Sequence, residues 1–151
     1  MLKGIDPLLG PELLQALAAM GHGDQIAVVD ANFPAAAGAR RLVRLDGADT
    51  PAALRAVLTL LPIDNFVKHP AAVMRIDKGY ESLAVPIGEF QRVLDAAHGG
   101  KVAIARLDRQ AFYDRARAAF VVVITGEPRY YGNIVVAKGA IPPTLRGSGR
   151  G

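Results

Sequence analysis

Short apolar runs alternate along the chain with longer segments whose apolar residues recur every three or four positions. The strand-like runs lie at 25–30 (QIAVVD), 41–46, 71–77 (AAVMRID), 102–107, 120–125 (FVVVIT) and 133–138. The helical pattern covers residues 11–20, 51–61, 86–98 and 109–119. This alternation is typical of α/β proteins, in which helices pack against a sheet. The sequence therefore predicts one layered α/β domain, with no internal repeat.

Residues that favour helix ends support these boundaries. Pro11 suits the first turn of the first helix, and Thr50 followed by Pro51 predicts the N-cap and first turn of the second. A glycine pair beginning at Gly99 closes the third helix, and Asp108 is the expected N-cap of the fourth.

Composition excludes several classes of protein. The chain has 151 residues, of which 51% are hydrophobic, and it contains no cysteine, so a disulfide scaffold, a thiol nucleophile and Cys-ligated metal sites are excluded. The net charge is +4, but Arg146 and Arg150 in the Gly-rich tail supply two of these charges. The remaining basic residues are scattered and Trp is absent, so we expect no nucleic-acid partner.

Membrane association is not expected either. The chain has no apolar run of the roughly 18–20 residues that span a bilayer. Its first residues contain Asp6 and residues that break a helix, which does not fit a signal peptide. We therefore expect a cytoplasmic protein.

Polar residues at the ends of strands are the candidates for chemistry, because open α/β sheets bind ligands there. His22 lies between two glycines before the first strand, although this segment also fits a plain helix end with a solvated His. Asp30 ends that strand, where it either initiates a turn or binds a ligand. The third candidate is EPRYYGN at 127–133, in which the pair Gly132–Asn133 also fits a hairpin turn.

The remaining motifs restrict the chemistry further. His69 is expected in a loop and His98 at a helix end, and three scattered His residues do not predict a metal site. The chain contains no phosphate-binding glycine motif and no nucleophilic serine elbow. We therefore predict acid/base chemistry on a small neutral molecule, without a cofactor or metal ion.

Two long segments carry a resemblance to a known family. Residues 11–35 contain GHGD followed by DANFP, and residues 109–139 contain FYDRA, ITGE and YGN. In this order the motifs resemble the fucose-type branch of the L-fucose mutarotase and D-ribose pyranase family, and the likeness extends from residue 1 to about 139. The resemblance implies a mixed β-sheet flanked by helices, as in that family, and a sugar mutarotase domain over residues 1–141.

The resemblance also implies roles for individual residues. His22 matches the catalytic proton carrier of the family, and Asp30 matches a sugar ligand. Arg109, Tyr131 and Asn133 match further sugar contacts. Arg109 and Phe33 follow the fucose type, so the expected substrate is a free monosaccharide, most simply L-fucose.

Mutarotation fits these residues, because it requires only that one proton leave the anomeric hydroxyl while another reaches the ring oxygen. An imidazole titrates near neutrality and can transfer protons in both directions. The alternative is a sugar-binding or regulatory module that has the same pocket but performs no catalysis.

We expect the chain to assemble with identical copies of itself. The resemblance implies a homo-oligomer, a ring that is decameric in some members, with sites completed across subunit contacts. We also expect the terminal strand at 133–138 and the apolar residues after it to pack against a neighbouring subunit. Residues 142–151 are expected to form a flexible Gly/Arg tail.

Overall fold

The computed structural model describes residues 1–143. Over these residues the helices are α1 (Pro11–Ala19), α2 (Thr50–Leu58), α3 (Ile87–His98) and α4 (Arg109–Ala118). The strands are β1 (Gln25–Val29), β2 (Leu42–Leu45), β3 (Ala71–Met74), β4 (Ile104–Leu107), β5 (Val121–Thr125) and β6 (Ile134–Ala137), and a short 3-10 helix covers Glu81–Leu83. The predicted α/β class is confirmed. The predicted tail lies, from residue 144 onward, outside the described residues.

The six strands form one mixed sheet in the order β2-β5-β1-β6-β3-β4. The pairs β2–β5, β5–β1 and β3–β4 are parallel, whereas β6 is antiparallel to both of its neighbours, β1 and β3. Strands β1 to β5 therefore end at the edge of the sheet where β6 begins, which we call the carboxyl edge. The opposite edge, where β1 to β5 begin, is the amino edge.

The position of β6 excludes one of the two interpretations of Gly132–Asn133 and contradicts one prediction about assembly. Because β1 lies between β5 and β6, Gly132–Asn133 is not a hairpin turn, and the segment before β6 instead crosses the end of β1. The β6 side chains are at most 4% exposed within a single chain. The prediction that this strand packs against a neighbouring subunit is wrong, since β1 and β3 already cover both of its sides. The packing of the residues after it against a neighbour stays a prediction. Beyond β6, Ile141 is 76% exposed.

Two apolar layers cover the sheet, because successive side chains of a strand point to opposite faces. Ile26 and Val28 of β1 pack in the larger layer, which contains apolar residues of α1, α2 and α3 such as Leu54 and Phe90. Ala27 and Val29 pack in the smaller layer with residues of α4, among them Phe112. The helices thus bury both faces and leave the ends of the strands to carry polar residues.

Three of the predicted helix ends are confirmed, and one is shifted. Pro11 begins α1. The Asp108 carboxylate accepts a hydrogen bond from Ala111 N at 2.8 Å, and Gly99 ends α3 in the left-handed conformation with φ 77°. The prediction of Thr50 as an N-cap is wrong. Asp49 caps α2 through Ala52 N at 2.8 Å, because the Thr50 hydroxyl is buried and donates instead to the Gly132 carbonyl at 2.8 Å.

Candidate active site

A cavity of about 360 Å³ opens at the carboxyl edge of the sheet. Four residues predicted from the sequence line this cavity, namely Asp30, Arg109, Tyr131 and Asn133. They come from the end of β1, the start of α4 and the segment before β6. These elements meet because β6 runs against the other strands, so that its beginning lies beside the ends of β1 and β3.

Asp30 is the buried carboxylate of the cavity. It is 5% exposed, and its backbone N–H donates to Asn133 Oδ1 at 2.8 Å. One carboxylate oxygen accepts a hydrogen bond from Asn32 N at 3.0 Å. Burial raises the pKa of Asp30 above its usual value, although hydrogen bonds from Asn32 and Asn133 act in the opposite direction. A partly desolvated carboxylate of this kind can accept a strong hydrogen bond from a hydroxyl group.

Arg109 and Tyr131 meet at a carboxylate that the sequence analysis did not single out. Asp77 Oδ2 accepts hydrogen bonds from Arg109 Nη2 at 3.1 Å and from the Tyr131 hydroxyl at 3.0 Å. Tyr131 has φ 54°, a left-handed conformation that is uncommon for a residue with a side chain. The sequence Asp77-Lys78-Gly79 resembles an ordinary turn after a strand, so only its position at the carboxyl edge distinguishes it.

A buried ion-pair network holds the segment that carries Tyr131 and Asn133. Glu127 is 1% exposed, and its carboxylate accepts hydrogen bonds from Arg129 Nε at 2.8 Å and from Thr50 N at 3.2 Å. Burial acts to raise the pKa of Glu127, but the hydrogen bonds from Arg129 and the Thr50 amide outweigh it and lower this pKa. Arg129 also binds Glu89 of α3 through two hydrogen bonds, at 2.8 and 3.0 Å. The segment is therefore anchored to both α2 and α3.

His22 lies at the amino edge, away from the cavity. Gly23, beside it, donates to the carbonyl of Lys138, which follows β6. A strand advances by about 3.3 Å per residue, so the five residues of β1 separate His22 from Asp30 by roughly 16 Å or more. The structure therefore brings together four of the five predicted site residues and leaves His22 apart from them.

The surroundings of His22 contain a partner that the sequence analysis missed. His22 Nε2 lies 3.1 Å from Oδ1 of Asp64, a residue that is 3% exposed. The hydrogen bond from the Phe66 amide is the largest cause that lowers the pKa of Asp64. The hydrogen bond with His22 lowers this pKa further, whereas burial acts to raise it. The Phe66 ring lies 5.1 Å from the imidazole and is 76% exposed. In the sequence, Asp64 is visible only as an Asp two residues after Pro62. No local pattern links it to His22, which lies 42 residues earlier.

The composition of the cavity limits what it can bind. A carboxylate, a guanidinium, a phenol and an amide offer donors and acceptors for several hydroxyl groups, and Phe33 and Tyr113 supply apolar ring surface.

Within residues 1–143, no three acidic or His side chains are grouped so as to hold a metal ion. Over the same residues, the structure has no helix that is long and apolar enough to cross a membrane.

Over residues 1–143, the fold is an α/β layered structure with a cavity at the carboxyl edge of its sheet, and the polar groups of that cavity suit a small molecule with several hydroxyl groups. Residues 3–141 match the RbsD / FucU transport protein family, and the chain belongs to this family. The sequence-based assignment is thereby confirmed.

Curated relatives and a solved structure resemble the chain over nearly its whole length. A fucose mutarotase of Homo sapiens is 46% identical over 147 residues, which cover 93% of this chain and 94% of the relative. An L-fucose mutarotase of Glaesserella parasuis is 45% identical, with 94% and 97% covered. The fucose mutarotase of Streptococcus pneumoniae, solved in complex with L-fucose, superimposes with a TM-score of 0.85 at 34% identity, covering 93% of this chain and all of that one.

Proposed function

We propose that the protein is a mutarotase that interconverts the α and β anomers of a free monosaccharide, L-fucose. The observation that carries the proposal is the convergence of Asp30, Arg109, Tyr131 and Asn133 on one cavity of suitable size and polarity. The relatives named as fucose mutarotases, and the similar structure that contains L-fucose, support the choice of sugar.

The reaction requires proton transfer at two oxygens. A base removes the proton of the anomeric hydroxyl while an acid protonates the ring oxygen, and the C1–O5 bond breaks. Rotation about the C1–C2 bond and reclosure on the other face of the aldehyde give the other anomer. His22 carries the proton in this proposal. Asp30, Arg109, Tyr131 and Asn133 hold the remaining hydroxyls, so that the anomeric centre faces the imidazole.

Because His22 lies at the opposite edge of its own sheet, it acts in the cavity of a neighbouring copy. Two exposed surfaces support this arrangement. One surrounds His22 and includes the exposed Phe66. The other borders the cavity and includes Tyr80 and Tyr130, which line it and are 47% and 45% exposed. A contact between two different surfaces is head-to-tail, and such contacts form a ring when the rotation between successive subunits closes. We therefore propose a ring-shaped homo-oligomer in which each site contains residues of two subunits.

Asp64 prepares His22 for this role. The Asp64 carboxylate is ionised at neutral pH, and its pKa is lowered further, so it accepts a hydrogen bond from Nε2–H of His22. That bond fixes the tautomer and leaves Nδ1 as the ring nitrogen able to accept a proton. The arrangement resembles other histidine bases that a carboxylate orients.

A non-catalytic sugar-binding module is the second candidate, and one observation favours it. The cavity of a single chain contains no histidine, since His22 does not line it. A protein that did not assemble would bind the sugar without a proton carrier. A cytoplasmic location stays a prediction in either case.

Anomer exchange measured by NMR saturation transfer separates the two candidates. The wild-type protein is expected to accelerate exchange of L-fucose above the buffer rate and to act less on D-ribose. His22→Ala should retain the fold and lose about 10²- to 10⁴-fold in rate, the usual contribution of a general acid/base. His98→Ala is the matched control and should retain full rate. Folded wild-type protein that binds L-fucose without accelerating exchange would establish the binding module instead.

A further inference from the structure

We propose that Asp77 is a positioning residue, whose carboxylate holds Arg109 and Tyr131 in the arrangement that binds the sugar. The inference rests on the proposed function for its assay. It assigns a role to a residue that contacts two of the proposed sugar ligands.

The geometry places one oxygen atom between two donors from different elements. Oδ2 of Asp77 lies 3.1 Å from Arg109 Nη2 and 3.0 Å from the Tyr131 hydroxyl. Asp77 follows β3, Arg109 begins α4 and Tyr131 precedes β6. The carboxylate therefore joins three segments of the carboxyl edge at the wall of the cavity.

The Arg109 and Tyr131 side chains must already be held in place if they are to bind the sugar with little loss of conformational entropy. The Arg109 side chain is 59% exposed and long, so it samples many rotamers unless it is held. Tyr131 has a left-handed backbone, which neighbouring contacts must maintain. Asp77 holds the far ends of both side chains before the sugar arrives, which reduces the ordering that binding requires.

The same geometry predicts little effect on overall stability. Asp77 is 64% exposed, and an exposed ion pair contributes little to folding because water and salt screen it. A role in positioning should therefore appear in sugar affinity, whereas a merely structural role would appear in the thermal midpoint.

The test compares Asp77→Asn with a matched control. Asp46 also forms an exposed ion pair with an arginine, Arg44, at 3.0 Å, and its side chain is 68% exposed, but neither residue lines the cavity. For Asp77→Asn we expect KM for L-fucose in the NMR exchange assay to rise about tenfold, with kcat within about twofold of wild type, because a lost contact that is equal in ground and transition states changes KM alone. Asp46→Asn should leave both constants unchanged, and neither variant should shift the thermal midpoint.

A double-mutant cycle then shows whether Asp77 acts through Tyr131. Tyr131→Phe removes only the hydroxyl that donates to Asp77. If the two residues act together, KM of the double variant will fall short of the product of the two single effects by about threefold or more, as expected for coupled residues. Full multiplication of the effects would overturn the proposal.

Other results would also overturn it. An unchanged KM in Asp77→Asn, or a fall in kcat at unchanged KM, would show that the carboxylate does not position the binding groups. Titration of L-fucose followed by protein NMR measures affinity independently of catalysis. Wild-type protein that neither binds nor exchanges L-fucose would refute the proposed function and this inference together, whereas an active wild type with an unaffected Asp77→Asn would refute only the inference.

Discussion

Replacing Glu127 by Gln should destabilise the protein and weaken sugar binding, because this carboxylate anchors the segment that carries Tyr131 and Asn133. Its oxygens accept hydrogen bonds from Thr50 N and from three nitrogens of Arg129, at distances of 2.8 to 3.2 Å. The substitution keeps the shape of the side chain but removes its charge and turns an NH₂ group toward these donors.

The size of the loss in stability depends on the ion pair between Glu127, which is buried, and Arg129, which is partly exposed. Breaking a buried ion pair costs about 3–5 kcal/mol, and a hydrogen bond to a charged group contributes about 1.5–3 kcal/mol. Arg129 is 37% exposed and keeps its two hydrogen bonds to Glu89, which favours the lower range. We expect a loss of about 2–3 kcal/mol in the free energy of unfolding, or roughly 5–10 °C in the thermal midpoint for a chain of this length.

Urea unfolding at neutral and acidic pH measures this loss. Because the folded pKa of Glu127 lies below its unfolded value, the stabilisation is complete above the ordinary pKa of Glu, about 4.3, and disappears as the pH falls through the folded pKa. The difference in the free energy of unfolding between wild type and Glu127→Gln should therefore become smaller on acidification. Asp46→Asn, at an exposed ion pair, should change stability by less than about 0.5 kcal/mol. Equal stability of Glu127→Gln and wild type at neutral pH would refute the anchoring role.

Two further predictions concern the cavity and the surface around His22. Because burial raises the pKa of Asp30, the KM of the wild type for L-fucose should rise on acidification, beginning at a higher pH than that at which an ordinary Asp titrates. Asp30→Asn should bind L-fucose weakly, and its KM should lack this dependence on pH. The variant should unfold no more easily than the wild type. A variant with the wild-type pH profile would contradict the assignment. Phe66→Ser should shift the protein toward smaller assemblies in light scattering without lowering the thermal midpoint, since the ring is 76% exposed in one chain. Unchanged assembly would show that this surface is not an interface.

Local chemistry was sufficient to predict most elements of the fold. Asp108 and Gly99 act at the helix ends where they were expected, because capping depends on residues that are adjacent in sequence. Thr50 failed as a predicted cap because two neighbouring residues, Asp49 and Thr50, both carry suitable oxygens. The tertiary contact with Gly132 decided between them.

The arrangement of strands could not be derived from local patterns. The turn chemistry of Gly132–Asn133 suggested a hairpin, yet β1 inserts between β5 and β6. The resemblance to a family identified Asp30, Arg109, Tyr131 and Asn133 as a set, and the strand directions explain why these four meet. The same directions place His22 at the opposite edge.

Asp64 and Asp77 escaped the sequence analysis for a related reason. Each lies in a segment whose residues are typical of a turn. Each contacts a partner that is distant in the chain. Asp64 contacts a histidine 42 residues away, and Asp77 contacts Tyr131, which is 54 residues away. Long-range pairs of this kind become visible only once the sheet order is known.

In the proposed ring, His22 of one copy completes the sugar site of the next, and oligomers that contain two different variants test this arrangement. We expect His22→Ala to lose most of its rate and Asp30→Asn most of its affinity, so at L-fucose concentrations near the wild-type KM each variant expressed alone should exchange anomers slowly. In oligomers that contain both variants in equal amounts, purified through two different tags, random assembly places an intact His22 against an intact Asp30 in about one quarter of the sites of a head-to-tail ring. We therefore predict that the mixed oligomers regain about a quarter of the wild-type rate of L-fucose anomer exchange. Mixed oligomers as inactive as the two parent variants would contradict the shared site, because each site would then depend on both residues of the same chain.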